Sequence, residues 1–256
     1  MTYSVSRRGV TVGIVLAVSA ALLSSCAAEA PGDLGPLQGI LATCPKDQQI
    51  NSKVITDVSG TSVSPEIIAD RLDTIRDVVE RTAVCGGHLD VSAFAANSVT
   101  APILDVDLKM PGATDNAKLR QVPAAVDEVM TTIEANYQPA VEAAPEGGTD
   151  VTGLFRLLGE ARDLRPDMRL EGHVLTDGLT NQGIVIDHAL TAEEATSLAD
   201  SVSVPELPAA SVTIGGLGRV AGDPLPSAFI DGMKAFYTRL CANTGAADCL
   251  IVTDGR

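Results

Sequence analysis

Apolar positions along the chain switch between two periods. Short runs that alternate or are wholly apolar are followed by longer stretches with apolar residues three and four apart, the signatures of strands and helices. Lys53-Val54-Ile55-Thr56 is a short strand closed by Asp57. Ser64-Pro65 predicts a helix start, with a hydroxyl to cap the first amides and a proline at the first helical position. That helix carries Ile67, Ile68, Leu72, Ile75, Val78 and Val79 on one stripe and breaks at Gly86-Gly87. His88–Ala95 alternates as a second strand. Ile103–Met110 is a third, close enough behind to pair with it antiparallel. Residues 115–137 place Val122, Val126, Val129, Met130, Ile133 and Tyr137 at helical spacing, with Pro123 as a point where the helix kinks or starts afresh. Pro145–Asp150 is a loop, and Leu154, Leu158 and Ala161 line the next helix. Arg169–Thr176 is a strand running into Asp177-Gly178. Thr191-Ala192-Glu193-Glu194 is a capping box that opens a helix to about Val202. A strand at Ala210–Gly216, a helix marked by Phe229, Ile230, Met233, Phe236, Tyr237 and Leu240, and a strand at Cys249–Thr253 complete the series.

This order predicts a doubly wound α/β domain over residues 46–256. Its sheet is mostly parallel with one antiparallel edge strand, and helices lie on both faces. In such Rossmann-like folds ligands bind outside the carboxyl ends of the strands, where the strand order reverses. The chain shows no internal repeat and no second domain boundary.

The N-terminus follows a different pattern. Arg7 and Arg8 precede an apolar run from Val10 to Leu23, and Leu23-Ser24-Ser25-Cys26 follows. A basic start, an apolar stretch of about a dozen residues and small residues at the end make a secretory signal over residues 1–25, whose apolar stretch is shorter than the about 20 residues a membrane span needs. Ser6-Arg7-Arg8 touches the twin-arginine pattern, but Gly9-Val10-Thr11 fit it poorly, so ordinary export is expected. The ending L-S-S-C resembles the lipobox of bacterial lipoproteins. The resemblance implies cleavage before Cys26, a diacylglycerol on its sulfur, and anchoring to the outer face of the cell membrane. Residues 26–45, rich in Ala, Gly and Pro, then read as the lipidated cysteine and a tether.

Charge and cysteine count sharpen this. The 256 residues hold 18 Lys+Arg and 33 Asp+Glu, a net charge of −15, which export of residues 1–25 without Arg7 and Arg8 would take to −17. So acidic a chain with no Trp, 3 Tyr and 4 Phe argues against a nucleic-acid partner, which needs a basic patch and favours aromatic platforms. Five cysteines are an odd number for an exported protein. With Cys26 set aside, four remain and can pair. Cys241 and Cys249 bracket a short turn. Cys44 and Cys85 each precede a strand at the same edge of the sheet, so the expected bonds are 44–85 and 241–249.

Three segments gather oxygen donors where strands end. Asp57-Val58-Ser59-Gly60-Thr61 follows the first strand, Gly147-Gly148-Thr149-Asp150 precedes a helix, and Thr176-Asp177-Gly178 closes a later strand. Alternation lets Asp57, Ser59 and Thr61 face one point. Hard oxygen ligands suit Mg²⁺, Mn²⁺ or Ca²⁺. Asp150 reads instead as a carboxylate at a helix N-terminus.

The three segments together resemble the von Willebrand factor A domain and its metal-ion-dependent adhesion site. That family places D-x-S-x-S after its first strand, a Thr in a glycine-rich loop and an Asp in T-D-G. The resemblance covers roughly residues 50–256 and departs at Thr61, which stands for Ser and keeps the hydroxyl; the final helix and strand are longer than a minimal domain needs. It implies a metal held by Asp57, Ser59, Thr61, Thr149 and Asp177, with an open position completed by an acidic residue of a protein partner. The plainer alternatives are that these residues cap turns and bond locally, or that the fold persists without metal affinity.

Enzyme readings fit less well. A haloacid-dehalogenase-like phosphatase needs a second Asp two residues after the first, and Ser59 stands there. Asp105-Val106-Asp107 has that spacing but lies within a strand. No G-x-S-x-G, G-x-G-x-x-G or P-loop occurs, Gly215-Gly216-Leu217-Gly218 lacking the lysine. His88, His173 and His188 are scattered and read as structural. The expectation is a membrane-anchored binding lipoprotein and not an enzyme. A metal-independent envelope scaffold of the same fold is the rival, and a metal-dependent phosphohydrolase is a more distant one.

Overall fold

The structure, a computed structural model, describes residues 34–96, 99–144 and 147–254. The elements in chain order are α1 (Gly35–Thr43), β1 (Ile50–Asp57), α2 (Pro65–Cys85), β2 (Gly87–Phe94), β3 (Thr100–Leu108), α3 (Asp115–Leu119), α4 (Val122–Ala143), α5 (Val151–Leu164), β4 (Arg169–Leu175), β5 (Asn181–Gln182), β6 (Ile184–Val185), α6 (Ala192–Asp200), β7 (Ser211–Gly215), α7 (Ser227–Asn243) and β8 (Asp248–Ile251). Six strands form one sheet in the order β3-β2-β1-β4-β7-β8, and β5 and β6 make a separate small hairpin. All neighbours in the large sheet are parallel except the edge strand β3, which runs antiparallel to β2. This is the doubly wound, mostly parallel arrangement with one antiparallel edge that the sequence predicts.

Alternation along the strands builds two cores. Val54, Leu89, Val91 and Ala93 face α2 and α4 and meet Ile75, Val79, Val126 and Ile133. Ile55, Phe94, Leu170, Val174, Val212 and Ile214 face the opposite way and meet Leu154, Leu158, Met233, Phe236 and Leu240 from α5 and α7. β1 is buried along its whole length and β4 along most of it, as central parallel strands are, so that Asn51, Lys53 and Glu171 are buried beside the apolar residues.

Local chemistry sets the boundaries. The Ser64 hydroxyl accepts the Ile67 amide at 3.3 Å and starts α2, which ends at Gly86 with φ +74°, a conformation favouring glycine. Pro123 lies in the first turn of α4, so the helix starts afresh there after the short α3. The capping box at Thr191–Glu194 is complete, and α6 stops at Asp200, slightly short of the expected end.

One boundary moves. The composition of residues 26–45 suggests a tether throughout. Residues 34–45 instead belong to the folded unit: α1 buries Leu37 in the core, Gln38 Nε2 donates to Asn116 Oδ1 at 3.1 Å, and Arg81 Nη1 donates to Thr43 Oγ1 at 2.9 Å. Leu34, Leu37, Ile40 and Leu41 supply an apolar face that the Gly and Pro content obscures. The expected signal segment 1–25, Cys26 as the expected lipid anchor and the expected tether as far as residue 33 lie outside the described residues.

Both expected disulfides are present, Cys44–Cys85 and Cys241–Cys249. The first ties the end of α1 to the end of α2; the second ties α7 to β8. They suit an oxidising compartment, extracellular or periplasmic. Among the described residues no helix is long and apolar enough to cross a membrane.

Candidate functional site

From β1 the chain moves first to β2 on one side, and it returns later to β4 on the other. The strand order therefore reverses between β1 and β4, whose last paired residues are Thr56 and Leu175. Asp57 and the Thr176-Asp177 pair emerge from the sheet side by side at that point.

Both carboxylates are buried, Asp57 at 1% and Asp177 at 0% exposure. Asp57 Oδ1 accepts the Ser59 amide at 2.8 Å, and Oδ2 accepts the Thr176 hydroxyl at 2.7 Å. Asp177 Oδ1 accepts the Leu179 amide at 2.9 Å. Thr176 Oγ1 in turn accepts the Gly178 amide at 3.1 Å, so the two strand ends are knitted together. Gly178 is required here. Its φ is +82°, and a Cβ would come within 2.5 Å of Leu217 Cδ2. The Tyr237 hydroxyl donates to Gly178 O at 2.9 Å, and burial with the charges of Asp177 and Asp57 keeps that phenol protonated far above its ordinary range.

The loop after β1 is held from below. The buried Arg71 guanidinium donates to Asp57 O and, at 3.0 Å, to Ser62 O. Ser62 N closes a turn onto Ser59 O at 2.8 Å, and Ala221 N donates to Thr61 O at 2.7 Å.

Three buried oxygens at this point lack a hydrogen bond of regular geometry, Ser59 Oγ, Ser62 Oγ and Asp177 Oδ2, although the Thr61 and Ser62 hydroxyls lie near enough to Asp177 to ease its charge. An orphaned buried polar atom costs about 1–3 kcal/mol. Burial and the neighbouring Asp57 carboxylate raise the Asp177 pKa above the ordinary value of 3.8, while the Thr61 hydroxyl, the Leu179 amide and the Ser62 hydroxyl pull it back. Two carboxylates pressed together with unfilled oxygen valences suit an added cation. The donor set, carboxylate and hydroxyl oxygen without sulfur or imidazole, fits Mg²⁺, Mn²⁺ or Ca²⁺. Among the described residues no group of three or more His, Cys, Asp or Glu is placed to hold a metal, so any cation here relies on hydroxyls.

Thr149 reaches the site from the loop before α5. It borders a cleft of about 440 Å³ together with Ser59, Gly60 and Thr61, across from Leu179, Thr180, Asn181, Val185, Ile186 and Asp187. Asp57 and Asp177 do not line that cleft. The structure thus brings Ser59, Thr61 and Thr149 to one opening and pairs Asp57 with Asp177 through Thr176. Asp150 caps α5, its Oδ1 accepting the Gly153 amide at 3.2 Å.

Sequence reasoning missed four contributors. Ser62 continues the hydroxyl run of Ser59 and Thr61 and could have been included. Thr176 stands in the T-D-G triplet itself. Arg71 lies four residues from both Ile67 and Ile75, so it is a cation on the apolar stripe of α2, which was the available signal. The hairpin β5–β6 has strands of two residues each and leaves no readable period.

His88 lies on β2 away from the strand-end cluster, whereas His188 sits beside Asp187 at the rim of the cleft. His88 Nδ1 contacts Asp107 Oδ1 at 2.8 Å and Arg165 Nη2 at 2.9 Å, and the exposed His188 pairs with Asp187.

No family model matches the chain, and no curated protein does. Among solved structures, it is similar to the conserved hypothetical protein BatB from Bacteroides thetaiotaomicron, with 13% identity over 80% of this chain and 90% of that one and a TM-score of 0.44. A von Willebrand factor type A protein from Catenulispora acidiphila gives 15% identity over 81% and 39% of the two chains, with a TM-score of 0.36. The manganese-loaded TRAP protein of Plasmodium vivax gives 14% identity over 73% and 63%, with a TM-score of 0.34. The fold assignment rests on the strand order and pairing described above.

Proposed function

We propose that this protein is an exported lipoprotein that binds a protein partner through a divalent cation held at the β1/β4 switch point. Asp57, Ser59, Thr61, Thr149 and Asp177 form the proposed ligand set, with Cys26 as the lipid anchor on the outer face of the membrane. The observation that carries the reading is the cluster of buried oxygens left without a regular hydrogen bond, Ser59 Oγ and Asp177 Oδ2, beside a second buried carboxylate.

The chain's own residues divide the work. Asp57 fixes the turn after β1 through the Ser59 amide and is oriented by Thr176. Asp177 keeps one oxygen on the Leu179 amide and leaves the other available. Thr149 and Thr61 border the opening through which a partner approaches. A bound divalent cation supplies an open coordination position attractive to a partner carboxylate. Two carboxylates would just neutralise such an ion without filling its coordination shell, so an acidic group could still be taken at the open position despite a net charge of −17 on the processed chain. The proposal is of a binding protein, not an enzyme.

Isothermal titration of the wild type and Asp57→Ala with Mg²⁺ and Mn²⁺ tests this. Binding by the wild type that the variant loses is expected, and its absence in both overturns the reading. A second reading, metal-independent docking through the same cleft, draws on the fact that both Asp57 oxygens are already hydrogen-bonded within the fold. Partner capture from envelope extracts that EDTA leaves unchanged would mark that reading.

A further inference from the structure

The hairpin β5–β6 follows Asp177 by only a few residues and sits against the loop that carries Thr149. Its contacts with that loop are numerous for so short an element. Asn181 Oδ1 accepts the Thr149 amide at 3.0 Å. Thr149 O accepts the Asn181 amide at 3.3 Å, the Gln182 amide at 3.3 Å and the Thr180 hydroxyl at 3.1 Å. Gln182 Nε2 donates to Gly147 O at 2.9 Å. Thr180 Oγ1 also approaches Ile184 O at 2.8 Å, which fixes the base of the hairpin. The fit is tight on the other side as well: a Cβ on Gly148, whose φ is +135°, would lie 2.0 Å from Asn181 Oδ1.

These contacts have a common target. A loop holding Gly147 and Gly148 has broad conformational freedom, and a hydroxyl at its end would be poorly placed as a ligand. Both polar backbone atoms of Thr149 are bonded to residues 180–182, and the residue is 4% exposed although it borders the cleft. The glycine before it admits the Asn181 side chain.

We propose that the β5–β6 hairpin is the positioning device for Thr149, and that Asn181 is its principal positioning residue, acting on the cation site through the Thr149 backbone. This rests on the cation-binding reading above. The hairpin also makes part of the cleft wall, so the element that fixes Thr149 borders the opening where a partner docks.

The test compares full-length folded protein with Asn181→Leu, which keeps the bulk and loses the acceptor, and Asn181→Asp, which keeps an acceptor for the Thr149 amide. Two readouts are taken: amide exchange at Thr149 without added metal, and Mg²⁺ affinity by titration. The expected result is faster Thr149 exchange and a roughly tenfold weaker Mg²⁺ affinity in Asn181→Leu, the scale of loss typical when a ligand's supporting partner is removed. Asn181→Asp should keep slow exchange and an affinity within a few-fold of wild type. Unchanged exchange in Asn181→Leu overturns the clamp whatever the metal does. Faster exchange with unchanged Mg²⁺ affinity overturns its role at the site. A wild type that binds no Mg²⁺ also overturns that role and identifies the cation-binding reading, not the clamp, as the failure.

Discussion

The Thr176 hydroxyl donates to Asp57 Oδ2 at 2.7 Å across the point where β1 and β4 leave the sheet. Thr176 precedes Asp177, so one dipeptide both steadies the first carboxylate and presents the second. Asp177 receives less help: one oxygen has the Leu179 amide, and the other has only the nearby Thr61 and Ser62 hydroxyls, with no hydrogen bond of regular geometry. Its pKa is raised, chiefly by burial and then by Asp57. A carboxyl whose folded pKa lies above its unfolded one favours folding when protonated and loses that contribution as pH rises through the folded value. At neutral pH Asp177 therefore weakens the metal-free fold. Asp177→Asn should raise the melting temperature without added metal and lower Mg²⁺ affinity at least tenfold. Wild type with Mg²⁺ at 100 times its Kd should gain about 2.7 kcal/mol that the variant does not. A variant that melts lower than metal-free wild type would remove the argument.

Arg71 gives a second expectation. Its buried guanidinium bonds two carbonyls, Asp57 O and Ser62 O, and so joins both ends of the loop after β1. Arg71→Met keeps much of the stem and strips both bonds. It should cost about 3 kcal/mol in urea unfolding, because hydrogen bonds to charged groups contribute roughly 1.5–3 kcal/mol each and relaxation recovers part. Arg71→Lys should recover only a fraction, since one ammonium does not reproduce the fork. A loss under about 1 kcal/mol in Arg71→Met would show that water replaces the guanidinium without penalty.

Much of this was legible in the residues. Period-two and period-3.6 patterns locate all six strands of the large sheet to within a few residues, because most of those strands and the helices bury apolar faces, the exposed edge strand β8 being the exception. Ser64, Gly86 and Thr191 mark helix ends through capping chemistry that needs only local sequence. The strand-end donors were visible because Asp57 closes β1 and Asp177 follows the end of β4 by two residues. Ser62 and Thr176 carried local signals, but the rest of what escaped notice depends on contacts distant in sequence. Arg71 reaches back 14 residues to Asp57 O, and Asn181 reaches back 32 to Thr149 N. Helix α1 hid behind glycine and proline, which dilute its four apolar contacts with the core. The hairpin is specified by what it touches and not by its own pattern.

The two disulfides should differ in weight. Cys44 and Cys85 are 41 residues apart, whereas Cys241 and Cys249 are 8 apart. Loop-closure entropy predicts contributions of about 4 and about 2.5 kcal/mol respectively. The first bond also secures α1, whose apolar face packs beside α2. Replacing Cys44 and Cys85 together with Ala should therefore lower stability more than replacing Cys241 and Cys249, and should expose the 34–43 segment to protease. Equal losses in denaturant titrations of the two double variants would assign the stabilisation to native packing in place of chain entropy.

His173 supplies a pH dependence independent of the cation site. It lies on β4, and its Nε2 is buried without a hydrogen-bond partner. Burial lowers its pKa from 6.5 to about 4, with Glu171 pulling it up and Arg81 pushing it down. Arg81 itself is engaged by Glu171 at 2.6 and 2.7 Å, which limits how far Glu171 can help the imidazolium. Below pH 6.5 the unfolded chain takes up a proton here that the folded chain refuses. Stability should thus fall as pH drops from about 6.5 to about 4, and the full difference between the two pKa values corresponds to about 3 kcal/mol. His173→Gln removes the titration and keeps a polar side chain of similar reach. In urea unfolding at pH 7 and pH 4.5, wild type should lose more stability than this variant, by roughly 2–3 kcal/mol. Parallel losses in the two proteins would mean that the imidazole gains a partner on protonation and that its burial is not what governs the acid response.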